Sequence, residues 1–182
     1  MVDASQTHEN PHAALADRGT PSRPTMSPQQ AVSGGIGGGD PRETGLSPAI
    51  EPGWMVRGIL REVAEQHIVL EVPGTNYRVH LVPTAPIATP VGKRITGRID
   101  AQARRIDICH TGGNYIDPVF GRPRNLQGRV LAQLHSEGTL VIKPVVPMFI
   151  RLKVPQVPTM FDEGVLVTFA IEPGATFTPV EG

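Results

Sequence analysis

Val56-Arg57-Gly58-Ile59-Leu60 and Leu126-Gln127-Gly128-Arg129-Val130 read as one strand opening written twice. The correspondence continues outward from both. Ile68-Val69-Leu70 reads against Leu140-Val141-Ile142, and Val79-His80-Leu81 against Ile150-Arg151-Leu152. Pro83-Thr84-Ala85-Pro86 reads against Pro155-Gln156-Val157-Pro158, Gly92 falls on Gly164, and Ile99-Asp100 on Ile171-Glu172. The offset drifts only from 70 to 72, which needs one small insertion at each of two turns. An internal repeat constrains architecture more strongly than a local motif, because each copy has to be one supersecondary unit. Residues 56–109 and 126–178 therefore read as two copies of one small β unit.

Composition agrees with β structure. The 182 residues include 20 Gly and 19 Pro, which leaves little room for long helices. The 17 basic and 17 acidic residues balance, so neither a strongly basic arm nor an acidic tail is present. The balance is uneven along the chain. From Arg78 to Arg129 nine basic residues (Arg78, Lys93, Arg94, Arg98, Arg104, Arg105, Arg122, Arg124, Arg129) face three acids (Asp100, Asp107, Asp117), an excess of six. Cys109 is the only cysteine, which excludes an intrachain disulfide and a cysteine zinc site. No run approaches the ~20 apolar residues that cross a membrane. The N-terminus lacks the charged region and apolar core of a secretory signal. The expectation is a cytoplasmic protein with no membrane partner.

Residues 1–53 read as a disordered, Pro/Gly-rich tail. Apolar residues there are sparse and aperiodic, so ordering the segment costs backbone entropy with little burial in return. The run Gly34–Gly39 lacks the Lys-Ser/Thr of a phosphate loop and reads as a linker. From Trp54 the pattern changes. A first strand is expected near 55–64 and a second at Ile68–Val72. Gly74-Thr75-Asn76 turns the chain, since Gly and Asn tolerate positive φ. Tyr77, Val79 and Leu81 then alternate with Arg78, His80 and Val82, the period of a strand with one wet face. Pro83, Pro86 and Pro90 bar a helix from the connector 83–93. A fourth strand is expected at Arg94–Asp100 and a fifth at Arg104–Cys109.

The second copy repeats the plan, with strands near 126–135, 139–144, 147–153 and 165–172. A fifth begins at Gly174-Ala175-Thr176-Phe177, close to the end of the chain. The second unit is therefore either closed by a borrowed segment or left open along one edge, and an open edge is a docking site or an aggregation risk. Five short antiparallel strands with a longer link between the third and fourth make the strand plan of an OB-fold. The expected class is all-β: an OB-like domain at 54–110, an interdomain segment at 111–125, and a second OB-like domain at 126–182. Each unit of ~60 residues is small for an isolated core, so the two are expected to pack together.

Residues 56–81, with their Arg57-Gly58 pair, the apolar strand ending Glu71-Val72-Pro73-Gly74, and the close Tyr77-Arg78-Val79-His80, resemble the opening of the N-terminal OB domain of the bacterial Holliday-junction-binding RuvA subunits. The resemblance implies the fold of that segment. A second β unit stands where those proteins carry the helix-hairpin-helix region that grips DNA, so it implies nothing about activity.

Segment 111–125 is the strongest functional candidate. It combines Tyr115 and Phe120 with Arg122 and Arg124 among glycines that admit a close ligand. Aromatic stacking plus cationic contacts is how single strands are held, with Tyr115 and Phe120 on bases and Arg122 and Arg124 on phosphates. The competing reading is a linker whose two aromatics plug an interface between the units. Lys93, Arg94, Arg98, Arg104 and Arg105 form a second basic set. Arg94, Arg98 and Arg105 read either as a phosphate patch or as a solvated strand face that discourages edge pairing. Tyr77 and Phe149 are the available strand aromatics, and each is either a stacking platform or core. At 4% the aromatic content is thin for stacking.

His67, His80, His110 and His135 fall on separate turns or strands, without metal-ligand spacing. His135-Ser136 lacks a third member for a triad, and Cys109 reads as packing. No catalytic residue, metal or cofactor is expected. The functional expectation is a non-catalytic binding module for RNA or single-stranded DNA, binding weakly and mainly by charge. It would act through Tyr77, Arg94, Arg98, Arg105, Tyr115, Phe120, Arg122 and Arg124. The alternative is a structural or adaptor protein whose second barrel takes a protein partner's strand on an open edge.

Overall fold

Eleven strands run through residues 50–180, the residues described by the computed structural model, and no α-helix occurs among them. The all-β expectation is met. The expected tail, 1–53, lies outside the described residues except for 50–53. In the first copy the strands are β1 (Val56–Val63), β2 (Ile68–Glu71), β3 (Arg78–Pro83) and β4 (Arg94–Ile108). The segment between the copies holds β5 (Tyr115–Asp117) and β6 (Phe120–Gly121). The second copy supplies β7 (Asn125–Leu134), β8 (Thr139–Lys143), β9 (Met148–Arg151), β10 (Leu166–Ile171) and β11 (Thr176–Pro179). All eleven join one mixed sheet.

The two copies share backbone detail. Gly92 and Gly164 both take positive φ, +86° and +83°, in the turn that precedes a strand. Their N–H groups donate to equivalent carbonyls, Leu60 at 2.7 Å and Val130 at 2.8 Å. The N–H groups of Leu60 and Val130 donate in turn to Lys93 and Val165, each at 3.0 Å. β1 and β7 slip register at equivalent points, between Leu60 and Glu62 and between Val130 and Ala132. Gly58 and Gly128, also equivalent, mark close approaches of neighbouring strands. A Cβ on Gly58 would stand 2.5 Å from Leu70 Cδ1, and one on Gly128 would stand 2.5 Å from Pro144 N. The Gly128 contact is with backbone, which cannot rotate away. Gly128→Ala is expected to lower stability by about 1–3 kcal/mol, the range for overpacking, measurable as a shift in urea midpoint.

The expected fourth and fifth strands of the first copy, 94–100 and 104–109, are one continuous strand. No Gly or Pro lies between Gly97 and Gly112, so nothing interrupts it. β4 serves both copies. Its Arg94–Gly97 stretch pairs with β1 and its Gly97–Asp100 stretch with β11. Further along, Asp100–Gln102 pairs in parallel with β9 and Ala103–Ile108 pairs with β10. β11, from the second copy, also pairs in parallel with β3 of the first.

Two rings of pairing result. One runs β1-β2-β3-β11-β4 and back to β1. The other runs β7-β8-β9-β4-β10 and back to β7. Each ring is completed by the last strand of the other copy, which crosses the boundary expected between 54–110 and 126–182. β8, β9 and β10 each have a neighbour on both sides. The main apolar cluster is likewise common to both copies, running from Val56, Leu60 and Leu70 through Ile99 and Ile106 to Leu140, Phe169 and Phe177.

Candidate functional site

The basic surface starts from a backbone irregularity in β4. Ala170 faces Arg105 while Ile171 faces Ala103, so Arg104 is the extra residue of a bulge. Successive side chains of a regular strand point to opposite faces. The extra residue lets Arg104 and Arg105, consecutive in sequence, both stand exposed between buried Ala103 and Ile106. Arg105 Nε donates to Asp107 Oδ1 at 2.9 Å, and Arg104 Nε lies 3.4 Å from Glu172 Oε2.

Segment 111–125 lies beside them and is anchored rather than loose. The buried Gln127 side chain donates to the Gly113 carbonyl at 3.0 Å. β5 pairs with β7 and β6 pairs in parallel with β3. The Arg124 N–H donates to the Asp117 carbonyl at 2.8 Å, and Asn125 Nδ2 to Asp117 Oδ2 at 3.2 Å. On the other side Gln156 binds both backbone polar groups of one residue. Its Oε1 accepts from the Ile106 N–H at 2.8 Å and its Nε2 donates to the Ile106 carbonyl at 2.7 Å. That side chain brings the Pro-rich connector, with Lys153, against β4.

Three depressions follow, and Arg104 lines all of them. One of about 470 Å³ is bounded by Arg104, Arg122 and Arg124. One of about 380 Å³ is bounded by Arg104, Arg105 and Tyr115. One of about 330 Å³ is bounded by Arg104, Arg105 and Lys153. Arg122 and Pro123 also line a fourth depression of about 390 Å³, which contains His67 and His80. The surface is a run of four hollows joined by shared arginines.

The histidines correct the expectation that they stay apart. His67 and His80 stack with ring centroids 5.1 Å apart and planes at 12°, and Phe120 meets His80 edge-on at 4.9 Å. The hairpin register explains it. Glu71 faces Arg78 and Val69 faces His80, so His67, two residues before Val69, is the diagonal neighbour of His80 on the same face. His80 Nε2 is buried and has no hydrogen-bond partner among the described residues. Burial first, then the neighbouring His67 and Arg122, lower the His80 pKa below the ordinary histidine value, with Glu62 opposing.

The unfolded chain therefore takes up the His80 proton more readily than the folded one, and stability falls as pH drops through about 6.5. The melting temperature is expected to be lower near pH 5 than near pH 7.5, and His80→Gln is expected to shrink that difference. An unchanged difference in the variant assigns the acid sensitivity to other groups.

Five of the eight expected contact residues lie along this run. Arg105, Tyr115, Arg122 and Arg124 line its hollows, and Phe120 stands against His80 at its end. Tyr115 and Phe120 are 36% and 60% exposed, so neither plugs an interface. The other three lie elsewhere. Arg98 pairs with Asp100 at 2.7 Å and Glu137 at 3.6 Å, and its guanidinium sits 3.8 Å from the centroid of the buried Phe149 ring. Phe149 in turn meets Trp54 edge-on at 6.2 Å. Arg98 and Phe149 thus belong to packing. Tyr77 packs against the main core, and Arg94 is exposed but lines none of the four hollows.

Arg104, Lys153 and the histidine pair are the additions the structure makes. The pairing sum of the β2–β3 hairpin carried the signal for the histidines. Nothing local in the sequence carried one for Lys153, which is more than forty residues from Arg105 in the chain. Among the described residues, no group of three or more His, Cys, Asp or Glu is placed to hold a metal ion. No helix among them is long and apolar enough to cross a membrane.

Fold and surface together describe an all-β chain with a cationic, aromatic-flanked run of hollows across β4 and segment 111–125. No protein-family model, curated protein or solved structure matches it.

Proposed function

We propose that this chain is a non-catalytic module that binds single-stranded RNA or DNA, mainly by charge. The observation that carries the reading is the joining of Arg104, Arg105, Arg122, Arg124 and Tyr115 along one connected surface. The bland account of strand arginines is that they keep an edge from pairing. It does not suit Arg104 and Arg105, because β10 covers one side of that stretch and Gln156 caps the other. Interleaved exposed rings favour a single strand over a duplex, since stacking on Tyr115 or Phe120 needs an unstacked base. The adaptor reading rested on an open edge in the second copy, and β8, β9 and β10 are paired on both sides.

The same reading extends to the architecture. The two rings of pairing are two small OB-like barrels that have exchanged their last strands, and the likeness of residues 56–81 to RuvA supports this for the first. Fluorescence anisotropy of a labelled single strand, titrated at several salt concentrations, tests the function. Two to four neutralised phosphates predict a log–log salt slope of roughly −1.5 to −3. Absence of binding at low salt sinks the proposal.

A further inference from the structure

We propose that the hollow lined by His67, His80 and Arg122 seats a single nucleobase of the bound strand. The inference rests on the single-strand reading above and names the part of the ligand that this end of the surface takes.

The hollow differs from its three neighbours in chemistry. Its volume of about 390 Å³ falls within the range of small-molecule sites, about 300–1,000 Å³. Leu81, Val82, Pro123 and Ala175 contribute apolar wall, whereas the neighbouring hollows are built around arginines. His80 lines it, and the buried Nε2 of that ring lacks a partner among the described residues. An unpaired buried polar nitrogen is costly, and an imidazole nitrogen is satisfied by either a donor or an acceptor, according to tautomer. The edge of a base offers both, and it meets this covered nitrogen once the side chains around it give way.

A phosphate suits the pocket poorly. Burial, His67 and Arg122 all disfavour the His80 cation, and only Glu62 favours it, so His80 is less ready than an ordinary histidine to carry a positive charge. The cation stands at the rim instead. Arg122 and Pro123 also line the next hollow, where Arg104 and Arg124 wait. A strand crossing this rim would keep its phosphates on the arginines and turn one base inward. Phe120, 60% exposed and edge-on to His80, adds an open aromatic ring beside the entrance.

The probes are a labelled mixed-sequence single strand of about twelve nucleotides and an abasic sugar-phosphate strand of the same length. Val82 is exposed and lines the hollow, so Val82→Trp is expected to fill the hollow without replacing an arginine. The variant is expected to weaken binding of the base-bearing strand about tenfold and to leave the abasic strand unchanged. His67→Ala provides a second variant should the melting temperature of the first fall, and the same selective loss is expected from it. On the unsubstituted protein, the base-bearing strand should shift the His80 imidazole nitrogen resonances, and the abasic strand should not.

Two failures are distinguishable. If both strands bind in a salt-sensitive manner and neither variant discriminates between them, the base site is wrong and the single-strand reading stands. If the unsubstituted protein binds neither strand at low salt, that reading falls and takes the base site with it.

Discussion

A chain lacking residues 173–182 is expected not to fold. The deletion removes β11, which is the only neighbour of β4 along Ile99–Arg98 on that side and which also pairs with β3. Phe177, at its centre, is fully buried in the common core at 0% exposure. Its ring also fills the space beside Gly97 where a side chain would stand. Loss of a buried Phe side chain alone costs about 3–5 kcal/mol. The deletion adds two unpaired strand edges to that cost, against a total stability of about 5–15 kcal/mol for an ordinary domain. Far-ultraviolet circular dichroism and thermal melting check it. Phe177→Ala, which keeps the backbone ladder, should still melt cooperatively but be less stable by about 3–5 kcal/mol. A truncated chain that melts as the full one does would show that the first ring closes without β11. The same exchange predicts one unfolding transition for residues 54–180, since neither copy has a complete ring of its own.

The double variant Arg122→Ala/Arg124→Ala is expected to weaken single-strand binding by about tenfold or more. The estimate takes ~1 kcal/mol or slightly more for each arginine–phosphate contact in water-exposed surroundings. The salt slope should become shallower by about 1.4, two lost contacts at ~0.7 each. Both side chains are exposed, and neither forms an ion pair among the described residues. The melting temperature should therefore stay nearly the same. Loss of binding together with an unchanged slope would mean that the arginines act through shape. An unchanged affinity would remove segment 111–125 from the interface. Arg98→Ala should behave in the opposite way. It removes the partner of Asp100 and Glu137 and uncovers Phe149, so it should lower stability more than affinity.

The candidate surface was legible in part. Arg122 and Arg124 stand close together in a segment rich in glycine and aromatics, and short-range spacing was enough to place them together. Arg94 and Arg98 stand four positions apart on one strand, which suggested a shared face, and Arg105 was grouped with them by charge. Arg105 lies seven residues from Arg98, an odd spacing that only the bulge at Arg104 turns toward the same side, and Asp100 and Glu137 draw Arg98 into packing. Bulges leave little mark in a single sequence, because any residue can be the extra one. The histidine pair was legible in principle once the Gly74–Asn76 turn set the hairpin register.

The sequence by itself determined the elements and their repetition. Alternating apolar residues specify strands locally, and the matched pairs Gly58 with Gly128 and Gly92 with Gly164 specify the same close approach and the same turn in each copy. These are properties of short stretches, fixed by side-chain period and by backbone conformations that favour glycine. Only the tertiary structure decided which copy each last strand completes, and hence which side chains meet across β4. Periodicity tells a strand which face to bury and says nothing about whose edge it joins. Two equivalent rings offer equivalent edges, and the choice between them falls to long-range packing, here that of Phe177 beside Gly97 and Ile106 within a core common to both copies.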